Sequence, residues 1–138
     1  MSGRHFETGG ACYDRYRPTY PPSLAEHLAS LAPNRDAAAD VGCGTGQLSV
    51  LLAPRFDTVL AFDVSAAQIE SAKKHTKVSS RVSPAEALPV ADTSVSLVTA
   101  AQAAHWFDLP AFYDEVRRIA VPDAVLALIT YCIPLLDG

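Results

Sequence analysis

Cysteine is scarce in this 138-residue sequence. Cys12, Cys43 and Cys132 are odd in number and widely spaced, which excludes a disulfide framework and shows no zinc-ligand spacing; they read as reduced thiols, with no metal site. Long apolar runs are absent too. The longest clean stretch, residues 124–129, is far too short to span a bilayer. The charged opening Met1-Ser2-Gly3-Arg4-His5-Phe6-Glu7 lacks the apolar core of a signal peptide. Positive charge is not in excess: 11 Lys and Arg against 15 Asp and Glu leave a net charge of −4, which offers no grip on a nucleic-acid backbone. No repeat, low-complexity tract or linker divides the chain. With 49% apolar and 19% charged residues, these absences leave one globular, cytoplasmic domain. Its expected partner is a small molecule, with neither nucleic acid nor membrane involved.

Apolar spacing and local punctuation predict alternating elements. Pro21-Pro22-Ser23 followed by Leu24, His27, Leu28 and Leu31 predicts a helix over Pro22–Leu31, broken by Asn34-Arg35-Asp36. Ala37-Ala38-Ala39-Asp40-Val41 is a short apolar run that meets a glycine cluster, the pattern of a buried strand entering a tight turn. Residues 47–53 read as a helix, and Thr58–Asp63, β-branched and apolar up to its terminal acid, as a strand. A helix over 65–74 follows with Ser65 as N-cap. Then come a weaker strand at Val78–Val82, a stronger one at 95–100, an amphipathic helix at Leu109–Ile119 and a fifth strand at 124–131. The alternation predicts an α/β fold, a Rossmann-like three-layer sandwich around a mainly parallel sheet.

The chemistry concentrates where the first two core strands end. Gly42-x-Gly44-x-Gly46 stands between a strand and a helix, where glycines permit a tight turn and a close approach of backbone to ligand. Dinucleotide-binding folds use G-x-G-x-x-G, but position 47 is Gln, so pyrophosphate binding and a nucleotide-dependent oxidoreductase are disfavoured. Any tight turn could use the glycines alone. Asp63, 21 positions after Gly42 and at the end of the next strand, could equally be an acid favoured by a helix N-terminus. Taken together, the spacing places a carboxylate where it accepts hydrogen bonds from both hydroxyls of a ribose. Cys43 fits as a small residue in a crowded loop, not as a nucleophile.

Asp40-Val41-Gly42-Cys43-Gly44-Thr45-Gly46 with Ala61-Phe62-Asp63-Val64-Ser65 resembles the class I S-adenosylmethionine (SAM) dependent methyltransferases, specifically methyltransferase type 11. Ala85-Glu86-Ala87-Leu88-Pro89 adds to the likeness. Tyr13-Asp14-Arg15-Tyr16-Arg17-Pro18-Thr19-Tyr20-Pro21 and Ala100-Ala101-Gln102-Ala103-Ala104-His105-Trp106-Phe107-Asp108 look most like the trans-aconitate methyltransferase-like branch. The resemblance implies one SAM-binding domain over 1–138, with an N-terminal cap over about 1–33 and a core over about 34–138. It gives Asp40, Gly42, Gly44 and Gly46 the methionine and ribose part of the cofactor, Asp63 with Val64 the ribose, and Ala85 with Glu86 the adenine. Gln102, Ala103, His105 and Trp106 fall beside the reactive methyl, and Tyr16 with Arg17 closes over the cofactor, the guanidinium facing its carboxylate. His105 suits a general base and Trp106 a cation–π cover for the sulfonium, although His-Trp-Phe also reads as an apolar anchor for the next helix.

Two positions depart from the family pattern: Pro84 stands where an Asp commonly precedes Ala-Glu, and Ser96 where an Asp commonly precedes Leu-Val. Adenine recognition then falls to backbone groups near Ala85 and to Glu86. The family fold continues past the fifth strand into a helix and a two-strand hairpin, so this fold is expected to be truncated after that strand, with an exposed edge at 124–129 that invites a homodimer. Two functions follow. One is methyl transfer to a small-molecule acceptor such as a carboxylate; the alternative is a SAM-binding or structural module without turnover.

Overall fold

The computed structural model describes residues 5–8, 20–101 and 108–129. In chain order the elements are β1 (His5–Thr8), α1 (Pro22–Leu31), β2 (Ala37–Val41), α2 (Gln47–Leu52) with a 3₁₀ turn at Ala53–Arg55, β3 (Thr58–Asp63), α3 (Ala66–Ser71), β4 (Val78–Val82), β5 (Val95–Ala101), α4 (Leu109–Ile119) and β6 (Ala120–Ile129). The six strands form one sheet in the order β1-β6-β5-β2-β3-β4, and every neighbouring pair is parallel. Chain order reverses on either side of β2, which opens a crevice above the carboxyl ends of β2, β3 and β5, the usual ligand position in open α/β sheets.

The strand period of two sorts the core into two layers. Ala38, Val59, Leu97, Val125 and Ala127 pack with Leu24 and Leu28 of α1, Leu48 and Leu52 of α2, and Phe56. Ala37, Ala39, Val41, Phe62, Val98 and Leu126 pack on the opposite side with Phe112, Val116 and Ile119 of α4. Both faces of the sheet are therefore covered, as an all-parallel sheet requires, and the three-layer α/β sandwich expected from the alternation is present. Among the described residues no helix is long and apolar enough to cross a membrane.

The structure corrects three expectations. The outer edge of the 124–129 segment does not stand open: His5–Thr8 pairs with it in parallel register, His5 opposite Val125 and Thr8 opposite Leu128. The dimer expected through that edge loses its stated basis. That last strand also begins at Ala120, four residues earlier than the apolar run, because Val95 pairs with Ala120 and Leu97 with Val125 across an irregularity. Asp123 takes up the bend with φ of +66°. The helix expected over 65–74 ends at Ser71. Ala72 turns extended and packs toward Gly46, and the Lys73 N–H donates to the Thr45 carbonyl at 2.9 Å.

Candidate functional site

The 42–46 loop is held from below by β3. The Phe62 carbonyl accepts both the Gly42 and Cys43 N–H groups, at 2.7 and 2.8 Å, and the Cys43 carbonyl accepts the Gly46 N–H at 2.9 Å. Such a curl places Gly42, Gly44 and Gly46 at φ of +72°, +57° and +81°, the left-handed region that costs an L side chain about 1–2 kcal/mol per residue. A methyl added at Gly44 would have nothing within 4 Å, so that backbone faces open space. A methyl at Gly46 would meet Lys73 N at 3.5 Å and Ala72 Cβ at 3.6 Å.

Asp63 ties this loop to the next. Its Oδ2 accepts the Gly44 N–H and its Oδ1 the Ser65 N–H, each at 2.9 Å. Ser65 in turn caps α3 by accepting the Gln68 N–H. A carboxylate offers about four acceptor positions, so each Asp63 oxygen retains capacity for a ligand hydroxyl. Val64, next to it, is an apolar side chain left 71% exposed.

Asp40 lies under the loop and is only 1% exposed. Ser49 Oγ donates to its Oδ2 at 2.6 Å and Thr99 Oγ1 to its Oδ1 at 2.9 Å, so one carboxyl joins β2, α2 and β5. Burial pushes its pKa from 3.8 up to about 6; the two hydroxyls oppose that rise and the nearby Asp63 charge adds to it. Burial likewise pushes the Cys43 thiol up to about 12, aided by the charges of Asp40 and Asp63, which leaves it a protonated, poor nucleophile at neutral pH.

The segment after β4 completes the wall. The Ser83 N–H donates to the Asp63 carbonyl at 2.9 Å, Ala85 is buried, and Glu86 Oε2 accepts the Asp108 N–H at 2.8 Å, which links this segment to the start of α4. Pro84 is exposed, and its carbonyl accepts the Ser83 hydroxyl at 3.0 Å. Arg118 braces the same segment from α4, donating to the Val90 and Leu88 carbonyls at 2.8 and 2.9 Å while pairing with Glu115 and Asp92. Glu115 also accepts the Leu88 N–H, and its hydrogen bond with Arg118 holds its carboxyl below the ordinary value. Ser96, the second family departure, donates to the carbonyls of Asn34 and Ala37, at 2.9 and 3.1 Å; an ionised Asp could not donate there.

Of the residues expected at the site, Asp40, Gly42, Gly44, Gly46, Asp63 and Val64 meet at the carboxyl ends of β2 and β3, and Ala85 with Glu86 adjoins them through Ser83. Tyr16, Arg17, Gln102, Ala103, His105 and Trp106 lie outside the described residues. Sequence reading missed Ser49 and Thr99, which hold Asp40. It also missed Gln47 as a site residue: its Oε1 is buried at the foot of the loop without a hydrogen-bond partner. A buried acceptor left unpaired costs about 1–3 kcal/mol and calls for a donor. An open cradle at Gly44, spare capacity on Asp63 and an exposed apolar Val64 fit a ligand that carries a ribose and a flat base.

Comparison with known proteins gives a consistent picture. The family model described as a methyltransferase domain matches residues 39–128. A Dictyostelium discoideum protein named as a methyltransferase is 42% identical over 86% of this chain and 46% of its own length. A Saccharomyces cerevisiae protein named as an S-adenosylmethionine-dependent methyltransferase is 31% identical over 95% of this chain and 47% of its own. A solved structure, named as a type II methyltransferase of Anaeromyxobacter dehalogenans, superposes with a TM-score of 0.82 at 46% identity, covering 88% of this chain and 52% of that one. The chain thus spans about half the length of the relatives it matches.

Proposed function

This chain belongs to the methyltransferase domain family, and from that premise we propose that it binds S-adenosylmethionine in the crevice above β2 and β3 and serves methyl transfer to a small-molecule acceptor. The observation that carries the reading is the glycine loop held in left-handed backbone and fastened to Asp63, with open space at Gly44. Asp63 receives the ribose hydroxyls with its remaining acceptor capacity, Val64 packs on the base, and Ala85 and Glu86 border the base from the other side. Glu86 already accepts Asp108 N–H, so base recognition draws on its remaining capacity and on backbone groups. Tyr16 and Arg17 close over the carboxylate of the methionine moiety.

S-adenosylmethionine supplies a methyl group on a positively charged sulfur. Gln102, Ala103, His105 and Trp106 form the acceptor side in this reading. The acceptor is a small carboxylate, already ionised at neutral pH, so His105 orients it and no general base is required. The motifs around Tyr16 and His105 support a place near the trans-aconitate-like branch. Cys43, a free thiol, is in keeping with a cytoplasmic setting.

Calorimetry with S-adenosylmethionine, S-adenosylhomocysteine and NADH tests the cofactor, and a labelled-methyl assay over a panel of small carboxylic acids tests transfer. Binding of both adenosyl ligands without NADH binding is expected. NADH binding as tight as theirs would overturn the assignment, and methylation confined to amines or carbon acids would overturn the carboxylate.

A further inference from the structure

Beside the glycine loop, the 69–80 segment lines an open cleft of about 500 Å³ between α3 and β4, within the size range of small-molecule sites. Ile69 and Val78 form its apolar wall; Lys73, Lys74 and His75, with Thr76 and Ser80, supply its polar lining. All three lysines of the chain, Lys73, Lys74 and Lys77, fall here, Arg81 follows on β4, and Glu70 is the one acid between residues 69 and 81. The ion pairs among the described residues engage Arg55, Arg117 and Arg118, so these four cations have no carboxylate partner there. Such a cluster, in a chain of net charge −4, is held together against its own repulsion and is relieved by a bound anion.

The lining is chemically specific. His75 Nδ1 accepts the Lys77 N–H at 3.0 Å, so the neutral imidazole carries its proton on Nε2 and is a donor there. Two ammonium groups, one imidazole N–H and two hydroxyls outnumber the two oxygens of a carboxylate and suit the three free oxygens of a phosphate monoester. The apolar wall suits a carbon skeleton, and the concavity suits a small molecule over a phosphodiester chain. We propose that this cleft is a second binding site, separate from the cofactor loop, for a small phosphate-bearing molecule. It adjoins the loop through the Lys73 N–H bond to Thr45, but shares no side chain with Asp63 or Glu86.

Calorimetric titration with inorganic pyrophosphate tests the site, in about 0.1 M salt, where diffuse surface attraction is largely screened. Saturable binding is expected both without and with excess S-adenosylhomocysteine. Lys73→Gln with Lys74→Gln should weaken it about tenfold or more, whereas Lys77→Gln with Arg81→Gln, equal in charge but outside the lining, should weaken it less than about threefold. His75→Ala, read for the same loss, covers the case in which the paired lysine variant does not fold. Four results would each overturn the proposal: no saturation by about 10 mM, equal losses from the two charge pairs, displacement by S-adenosylhomocysteine, or tighter binding of a short oligonucleotide than of pyrophosphate.

Discussion

Replacing Asp40 by Asn should change how the stability of this protein depends on pH. Asp40 is buried and its pKa rises from 3.8 to about 6 on folding, chiefly through loss of water. A carboxyl whose pKa rises on folding holds its proton more tightly in the native state. Its contribution is therefore complete below pH 3.8 and is lost as pH rises through 6. Two pKa units correspond to about 3 kcal/mol, of which roughly 1.3 kcal/mol disappears between pH 5 and pH 7. Asn cannot titrate but keeps the shape, with Thr99 still donating to its oxygen and its amide donating to Ser49. The wild-type-minus-variant difference in unfolding free energy, from urea titrations at pH 5, 6, 7 and 8, isolates Asp40 from every other group. It should fall by about that 1.3 kcal/mol toward pH 7. Thr99→Val should move the fall to higher pH, because the hydroxyl hydrogen bond favours the ionised form. A difference that stays flat or rises with pH would show that Asp40 is not desolvated as its hydrogen bonds to Ser49 and Thr99 imply.

Asp63→Ala should weaken S-adenosylmethionine binding by about 1.5–3 kcal/mol, roughly 10- to 150-fold, and also lower stability, because Gly44 and Ser65 each lose an acceptor; unchanged affinity in a folded variant would remove Asp63 from the site. Gly44→Ala should cost about 1–2 kcal/mol of stability through its φ of +57° alone, and should reduce cofactor affinity further because the methyl enters the open cradle; denaturation and calorimetry separate the two effects. Asp123→Gly should raise stability by about 0.5–1 kcal/mol, since Asp123 sits at φ of +66° in the bend of β6, and a lower melting temperature would refute it.

The elements whose bounds were legible are those set by local composition. Ala37–Val41 and Thr58–Asp63 lie where they were expected because apolar or β-branched runs meet glycines or acids. Where tertiary contacts decide, the reading failed. The helix after Ser65 stops short because Ala72 and Lys73 are drawn onto the glycine loop, and no residue among 72–74 announces that. His5–Thr8 has only Phe6 as an apolar residue in its four positions, and its partner lies more than 100 positions further along the sequence. The site divides in the same way. Gly42, Gly44, Gly46 and Asp63 follow from spacing, whereas Thr99 reaches Asp40 only through the β2–β5 register, across 59 positions. The cations of the 73–81 segment were hidden by the net charge, although their local clustering is written in the chain.

The pairing of β1 with β6 also orders events in time. Bringing His5 beside Val125 closes a loop of about 120 residues, and the entropy of that closure must be met before the pairing returns anything. Four residues alone cannot bear that cost in an unfolded chain. The register between them becomes available once β2, β5 and β6 have assembled and fixed the edge, so β1 docks in a late step. β1 is made before β2–β6 but docks after them, and until then the edge of β6 is open to any extended segment that meets it.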